Sequence, residues 1–204
     1  AMTQTPSCLA LALCAALAAC GGGGSDDAAT PAPATTTSPT TPPTTPPTTI
    51  TPPVTTAGST CGIADFAATA LTRINQLRAA GASCGSKGAF APAAALTWSA
   101  LLTQASEAHS QDMVAHNLFS HTGSSGSTLS SRVYATGYAW SSIGENIAAG
   151  YPGLDAVLNG WMASEGHCAN IMNPVFNQVG LVCVAGNAST SYNNYWTMDL
   201  AKSR

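Results

Sequence analysis

The sequence predicts an α+β domain reached through a long N-terminal segment that cannot pack. Three observations carry this. Nine of the 13 prolines fall between residues 25 and 60, so a folded core has to begin after them. Two stretches with apolar residues at helical spacing follow, residues 65–80 and 96–117. Two runs rich in β-branched and aromatic residues, 179–184 and 192–200, close the chain with Gly186-Asn187 between them, the pattern of an antiparallel hairpin. Helices first and strands last is the order of a small sheet covered by helices.

Composition narrows the function. The 204 residues have room for one ordinary domain and little more. Charged residues make up 7% and the net charge is −3. The six positive residues, Arg73, Arg78, Lys87, Arg132, Lys202 and Arg204, are scattered. A protein that tracks phosphates needs them clustered, so nucleic acid is not expected as a partner. Of seven cysteines, Cys8, Cys14 and Cys20 lie in the first apolar stretch, which leaves an even four: Cys61, Cys84, Cys168 and Cys183. No C-x-x-C pair is present, which argues against a zinc ribbon or a redox dithiol. In an exported protein four such cysteines form two disulfides.

Residues 8–20 are an apolar run of signal-peptide length, too short to span a bilayer. Residues 1–7 lack the usual Lys or Arg of a signal peptide. The run ends in Leu17-Ala18-Ala19-Cys20, followed by four glycines, and resembles the bacterial lipobox. That resemblance implies cleavage before Cys20 and a lipid anchor on its sulfur. Gly21 in the next position implies the outer membrane if the cell is Gram-negative. Residues 25–60 repeat T-T-P-P and cannot build a core. As extended polyproline II, their 36 residues reach at most roughly 110 Å. The expected partition is a lipoprotein signal peptide over 1–19, a lipidated Cys20 with a Gly/Thr/Pro-rich linker over 20–60, and one domain, expected as a monomer, over 61–204.

Within the domain, Phe66, Ala70, Ile74 and Leu77 give the first helix its stripe, with Asp65 as cap and Gly81 as stop. Cys61 and Cys84 flank it, and a Cys61–Cys84 disulfide is the expected tie. It requires the flanking coil to fold back along a helix of about 24 Å. The second helix carries Trp98, Leu101, Leu102, Ala105 and Met113, starts at Thr97 or Ser99, and ends at Asn117. His109 and His116 share one of its faces. No H-E-x-x-H arrangement completes a metal site there, so both are read as packed or hydrogen-bonded helix residues. A short helix over 129–136 ends at Gly137, and its Arg132 belongs to the solvent face or to a buried carboxylate. Tyr138 and Trp140 are assigned to the core. Residues 143–148 read as a short strand holding Glu145. Residues 154–164 are amphipathic, though Asn159-Gly160 weakens the helix. On the last strand, Tyr195, Thr197 and Asp199 share one face and Trp196 and Met198 the other. A Cys168–Cys183 disulfide would close a loop of 16 residues, worth about 3 kcal/mol in the chain-entropy model.

Taken in order, F-S-H-T-G at 119–123, R-V-Y-A-T-G-Y at 132–138, G-E-N-I-A at 144–148, W-M-A-S-E-G-H at 161–167, N-I-M-N-P at 170–174, V-G at 179–180 and Y-W-T-M-D at 195–199 resemble the CAP superfamily. This is the family of cysteine-rich secretory proteins, antigen 5 and pathogenesis-related proteins, whose bacterial branch is called SCP-like. The resemblance covers about residues 66–200. It implies an α-β-α sandwich with a small antiparallel sheet and a cavity lined by two His and two Glu. His121, Glu145 and His167 match that pattern. The second Glu does not: animal members place it three residues after the motif Trp, where this chain has Ser164, and Glu165 follows one later. Glu165 faces either the cavity or solvent.

Two imidazoles with one or two carboxylates suit a divalent cation such as zinc, with His121 and His167 as ligands. The same set suits acid/base activation of water. No Ser or Cys nucleophile is positioned and G-x-S-x-G is absent, so catalysis is the lesser expectation and His121, Glu145 and His167 are its only candidates. The leading expectation is therefore a secreted or lipid-anchored protein of the cell envelope. Its cavity of His121, Glu145, Glu165 and His167 would bind a cation and a lipid-like small ligand or a protein partner. The alternatives are a metal-dependent hydrolase of peptides or cell-wall material, and a structural or adhesive module.

Overall fold

The structure is a computed structural model that describes residues 58–204. The signal-peptide and Cys20 expectations, and the linker up to residue 57, lie outside the described residues; Ser59 and Thr60, expected in the linker, are instead buried against β5, so the domain begins before Cys61. The elements run α1 (Phe66–Ala80), β1 (Ala82–Ser83), a 3-10 turn (Gly85–Lys87), β2 (Ala89–Phe90), β3 (Thr97–Trp98), α2 (Ala100–Ala115), α3 (Leu129–Ala135), β4 (Trp140–Ala149), α4 (Leu154–Ala163), α5 (Glu165–Met172), β5 (Gln178–Ala185) and β6 (Asn194–Ser203).

The main sheet has the order β3-β5-β6-β4. β5 and β6 form the predicted antiparallel hairpin, and β4 adds antiparallel to β6. Only the two-residue edge strand β3 is parallel, against β5. Alternation along β6 divides the core. Trp196, Met198 and Leu200 pack with Phe66, Ile74, Val157, Leu158, Trp161 and Ile171 from α1, α4 and α5. On the other face Tyr195 packs with Met113, Ala201 with Leu102, and Thr197 bonds Ser110, all from α2. Helices thus cover both faces, which is the α-β-α sandwich. The approach of α2 depends on Gly180, because a Cβ there would run into the backbone of Leu102 and Thr103.

Local physics accounts for the shifted boundaries. α2 begins at Ala100, not 96, because residues 97–98 pair with β5 and the Ser99 hydroxyl accepts from Leu102 N. Asn117 follows the helix in the left-handed region, φ 46. Gly81 (φ 70) stops α1, but Asp65 caps it with no side-chain hydrogen bond. Gly160 is tolerated inside α4 because the Tyr151 ring occupies the place of its side chain. The helix α5, unannounced by periodicity, follows α4 after one extended residue, Ser164.

The disulfides correct the expected pairing. Cys61 bonds Cys183 and Cys84 bonds Cys168, in place of Cys61–Cys84 and Cys168–Cys183. The 15 residues of α1 hold its two ends about 22 Å apart. Ahead of the helix, Cys61 N donates to Cys183 O and Cys183 N to Ser59 O, which lays this segment along β5. Behind it, the 3-10 turn carries Cys84 onto α5.

One edge of the sheet is sealed by side chains. Trp161 Nε1 donates to Ile147 O at 3.2 Å and Asn170 Nδ2 to Glu145 O at 3.2 Å. Asn146 Nδ2 donates to His167 O at 3.1 Å. Three motif residues thereby lock β4 to α4 and α5, and with it the Glu145 backbone. Arg78, buried on α1, donates to the carbonyls of Ala94, Ile171, Asn173 and Phe176 and so anchors the end of α5.

Candidate functional site

Glu145 is the centre of the site. It sits on β4 facing α2 and α3, with its side chain 3% exposed. His121 Nδ1 lies 2.6 Å from Oε1, and Arg132 Nη2 lies 2.6 Å from Oε2. A carboxylate can only accept, so the imidazole proton belongs on Nδ1, and Nε2 is the acceptor of the neutral ring. Arg132, on α3, also donates to Ser127 O and His121 O, which holds the 121–127 loop against the helix. Of the two roles open to Arg132, the buried carboxylate is the one it takes. Burial alone would raise Glu145. The hydrogen bond from His121 and the positive charge of Arg132 outweigh that and hold it below the usual carboxylate range.

His109, fully buried on α2, stands 4.0 Å from Glu145 Oε1. Burial pushes it below the usual histidine range, against the pull of Glu145, so it is neutral near pH 7. Asp199 lies directly across from Glu145 in the β4–β6 ladder and is 0% exposed. Burial drives it well above the usual carboxylate range, and the charge of Glu145 adds to this. Sequence reading placed Asp199 on its face of β6 but gave it no role. The available signal was an acid amid the apolar alternation of a central strand. His116 is exposed and pairs with Asp112 at 3.0 Å.

His121 itself is 57% exposed, so the cluster runs from a sealed interior to the surface. His167, on α5, is held below the usual histidine range by burial and then by the imidazole of His121 beside it. It also lines a cleft of about 270 Å³ with Phe119, Ile147, Ala148, Ala149, Tyr151, Gly160, Trp161, Ser164 and Tyr192. Phe119 and Tyr192, 47% and 42% exposed, meet on its rim with ring centroids 5.9 Å apart and planes tilted by 58°. Two larger grooves lie elsewhere, about 490 Å³ beside Arg73 and Asp155 and about 530 Å³ beside Tyr134, Trp140 and Arg204. Neither is lined by a residue of the Glu145 cluster or by His167, so the small cleft is the candidate site.

Glu165 does not join it. It is exposed in the first turn of α5, accepts a hydrogen bond from the Ser86 hydroxyl, and lies against Gly85. Ser164 lines the cleft in its place. The expected divalent cation is also overturned: among the described residues no group of three His, Cys, Asp or Glu could hold a metal ion. The reason is visible at Glu145. One oxygen is taken by His121 and the other by Arg132, whose permanent charge 2.6 Å away repels a cation. That leaves His121 and His167 short of the three or four donors zinc requires.

Comparison with known proteins places these features in a family. Residues 71–200 match the profile of CAP, the cysteine-rich secretory protein family. The uncharacterized protein YkwD of Bacillus subtilis (strain 168) is 36% identical over 80 residues, 39% of this chain and 31% of that protein. The uncharacterized membrane protein YlbC of the same organism is 32% identical over 88 residues, 43% of this chain and 25% of that protein. The matches thus span under a third of these relatives. Among solved structures, an extracellular protein containing an SCP domain from Bacillus anthracis str. Ames has a TM-score of 0.53 at 23% identity, covering 75% of this chain and 45% of that one. An outer surface protein from Borrelia burgdorferi has a TM-score of 0.56 at 17% identity, covering 67% of this chain and 92% of that one. These two likenesses bear on the fold.

Proposed function

The chain belongs to the CAP, or cysteine-rich secretory protein, family, and from that premise we propose that it binds a small lipid-like ligand at the cell envelope, in the cleft beside His167. The observation that carries this reading is the make-up of the cleft. Its lining mixes small or apolar residues, Ala148, Ala149, Gly160 and Trp161, with polar groups from Ser164, His167 and Tyr151, and an exposed aromatic pair stands on its rim. Such a lining suits an apolar chain with a polar head, each buried methylene contributing about 0.8 kcal/mol. Residues 1–19 serve as the signal peptide, Cys20 carries the lipid, and the Thr/Pro-rich stretch ahead of Ser59 is the tether. The extracellular protein of Bacillus anthracis and the outer surface protein of Borrelia burgdorferi that share this fold support that location.

Titration of the full chain with a fluorescent fatty acid tests the reading. Replacing Phe119 and Tyr192 together by Ala weakens binding about tenfold, the loss of roughly 1.4 kcal/mol of aromatic contact. Equal affinity in the two chains removes the cleft from the account, and no binding by either leaves the adhesive module standing.

A second reading rests on one observation, the hydrogen bond from a half-exposed His121 to a buried Glu145. A histidine held by a carboxylate is an arrangement that can serve as a general base without a metal. Turnover of a peptide or peptidoglycan panel that resists chelators and is abolished by Glu145→Gln would put this reading first.

A further inference from the structure

Asp199 is a buried carboxyl group that neither the cleft nor the pairing of Glu145 with His121 and Arg132 employs. It is fully buried, no well-formed hydrogen bond reaches either oxygen, and the Ser106 hydroxyl is the nearby donor that favours its charged form. Its surroundings can be enumerated from every element that faces it. On β4 the residue opposite is Glu145, and on β5 it is Gly180, which has no side chain. Along β6 the same-face neighbours are Thr197 and Ala201, both buried. From α2 come Ser106, whose hydroxyl lies 3.5 Å from Gly180 O and also acts on Asp199, and the neutral His109. From α3 comes Arg132, and beyond Glu145 lies His121. Glu145 and Arg132 are the charged groups among these.

Charge balance then decides the state of Asp199. Arg132 and Glu145 already neutralise one another at 2.6 Å. An ionised Asp199 would leave a net negative charge in a sealed space, offset only in part by the Ser106 hydroxyl and the shared charge of Arg132, which the low dielectric penalises heavily. Nor does Arg132 bond it directly. Nη1 is spent on Ser127 and Nη2 on Glu145 and His121 O, Nε is buried without a partner, and no hydrogen bond from the guanidinium reaches Asp199. Residues directly opposite in an antiparallel ladder have Cβ atoms about 5 Å apart, within reach for two carboxyl groups to share a proton. A neutral Asp199 offers a donor that can reach Glu145 as a further partner, beside His121 and Arg132.

We propose that Asp199 is a neutral positioning residue of the site: its carboxyl proton is donated across the β4–β6 ladder to Glu145, and together with Arg132 it fixes the Glu145 carboxylate toward His121. The pair is then a carboxyl–carboxylate dyad with one proton, backed by a permanent cation and opening to solvent only through the imidazole of His121. This holds whichever ligand the cleft accepts, and its test needs no ligand.

A carboxyl group whose folded value is raised contributes stability that is complete below its unfolded value, about 4, and is lost as pH rises toward and through the folded value. Asp199→Asn keeps a donor for Glu145 and has no proton to lose. The full chain carrying it is expected to be at least as stable as wild type at pH 8, with the gap closing toward about pH 4. An ionised Asp199 predicts the reverse, a variant less stable at pH 8 that recovers on acidification, and that result overturns the proposal. Wild type alone decides the point as well. With carbon-13-labelled carboxyl groups, Asp199 is expected at the protonated position at pH 7, and a carboxylate signal there overturns the proposal. The positioning role is read on the nitrogen-15 signals of His121. Asp199→Asn keeps the Nδ1 hydrogen bond to Glu145 and Asp199→Leu loses it; a His121 signal identical in all three chains shows that Asp199 positions nothing.

Discussion

At the scale of single residues, Glu145 is held by two different devices, and they respond differently to substitution. Arg132 neutralises it and His121 bonds it, 2.6 Å in each case. Arg132→Met keeps most of the volume of the side chain but strands a buried carboxylate, and the expected loss is about 3–5 kcal/mol, read as a lower urea midpoint. A loss below about 1 kcal/mol, the range of surface pairs, would mean that Arg132 is not the partner that matters. His121, Glu145 and His167 were legible in the sequence because short motifs surround each. Glu165 was not, and the reason is geometric. Helix α5 starts at Glu165, and at about 100° per residue two positions later is nearly the opposite side of the helix, so Glu165 turns to Ser86 while His167 turns to the cleft. Asp199 escaped for another reason: alternation says which face of a strand a side chain takes, never which residue stands across the ladder.

The elements show where sequence pattern is informative and where it stops. The β5–β6 hairpin and the stripes of α1 and α2 followed from periodicity, because their burial on one face is what shapes the pattern. β3 was absorbed into α2, since two residues of edge strand have no period to read. Disulfide connectivity was the largest miss, because four cysteines allow three pairings and only the packed ends of α1 choose between them. The observed bonds join residues 122 and 84 positions apart, loops worth about 4–5 kcal/mol each in the chain-entropy model. Peptide mapping without reduction is expected to return Cys61 with Cys183 and Cys84 with Cys168. Replacing Cys84 and Cys168 together by Ala is expected to cost about 2–5 kcal/mol by denaturant unfolding. A Cys61–Cys84 peptide, or a double variant as stable as wild type, contradicts this arrangement.

Across the whole domain, the two faces of one sheet do different work. The face toward α1, α4 and α5 holds the large apolar cluster. The face toward α2 and α3 gives up part of its apolar area to Glu145, Asp199, His109 and Arg132. The cleft lies where β4, α4 and α5 meet the Phe119 and Tyr192 segments, and His167 links it to His121. The central claim is that this cleft, and neither of the larger grooves, is where the molecule meets its ligand. The most direct measurement is nuclear magnetic resonance shift mapping of the full chain titrated with a fatty acid. The account predicts shifts concentrated at Phe119, Ser164, His167 and Tyr192. Shifts centred instead on Arg73 and Asp155, or on Tyr134, Trp140 and Arg204, would contradict it.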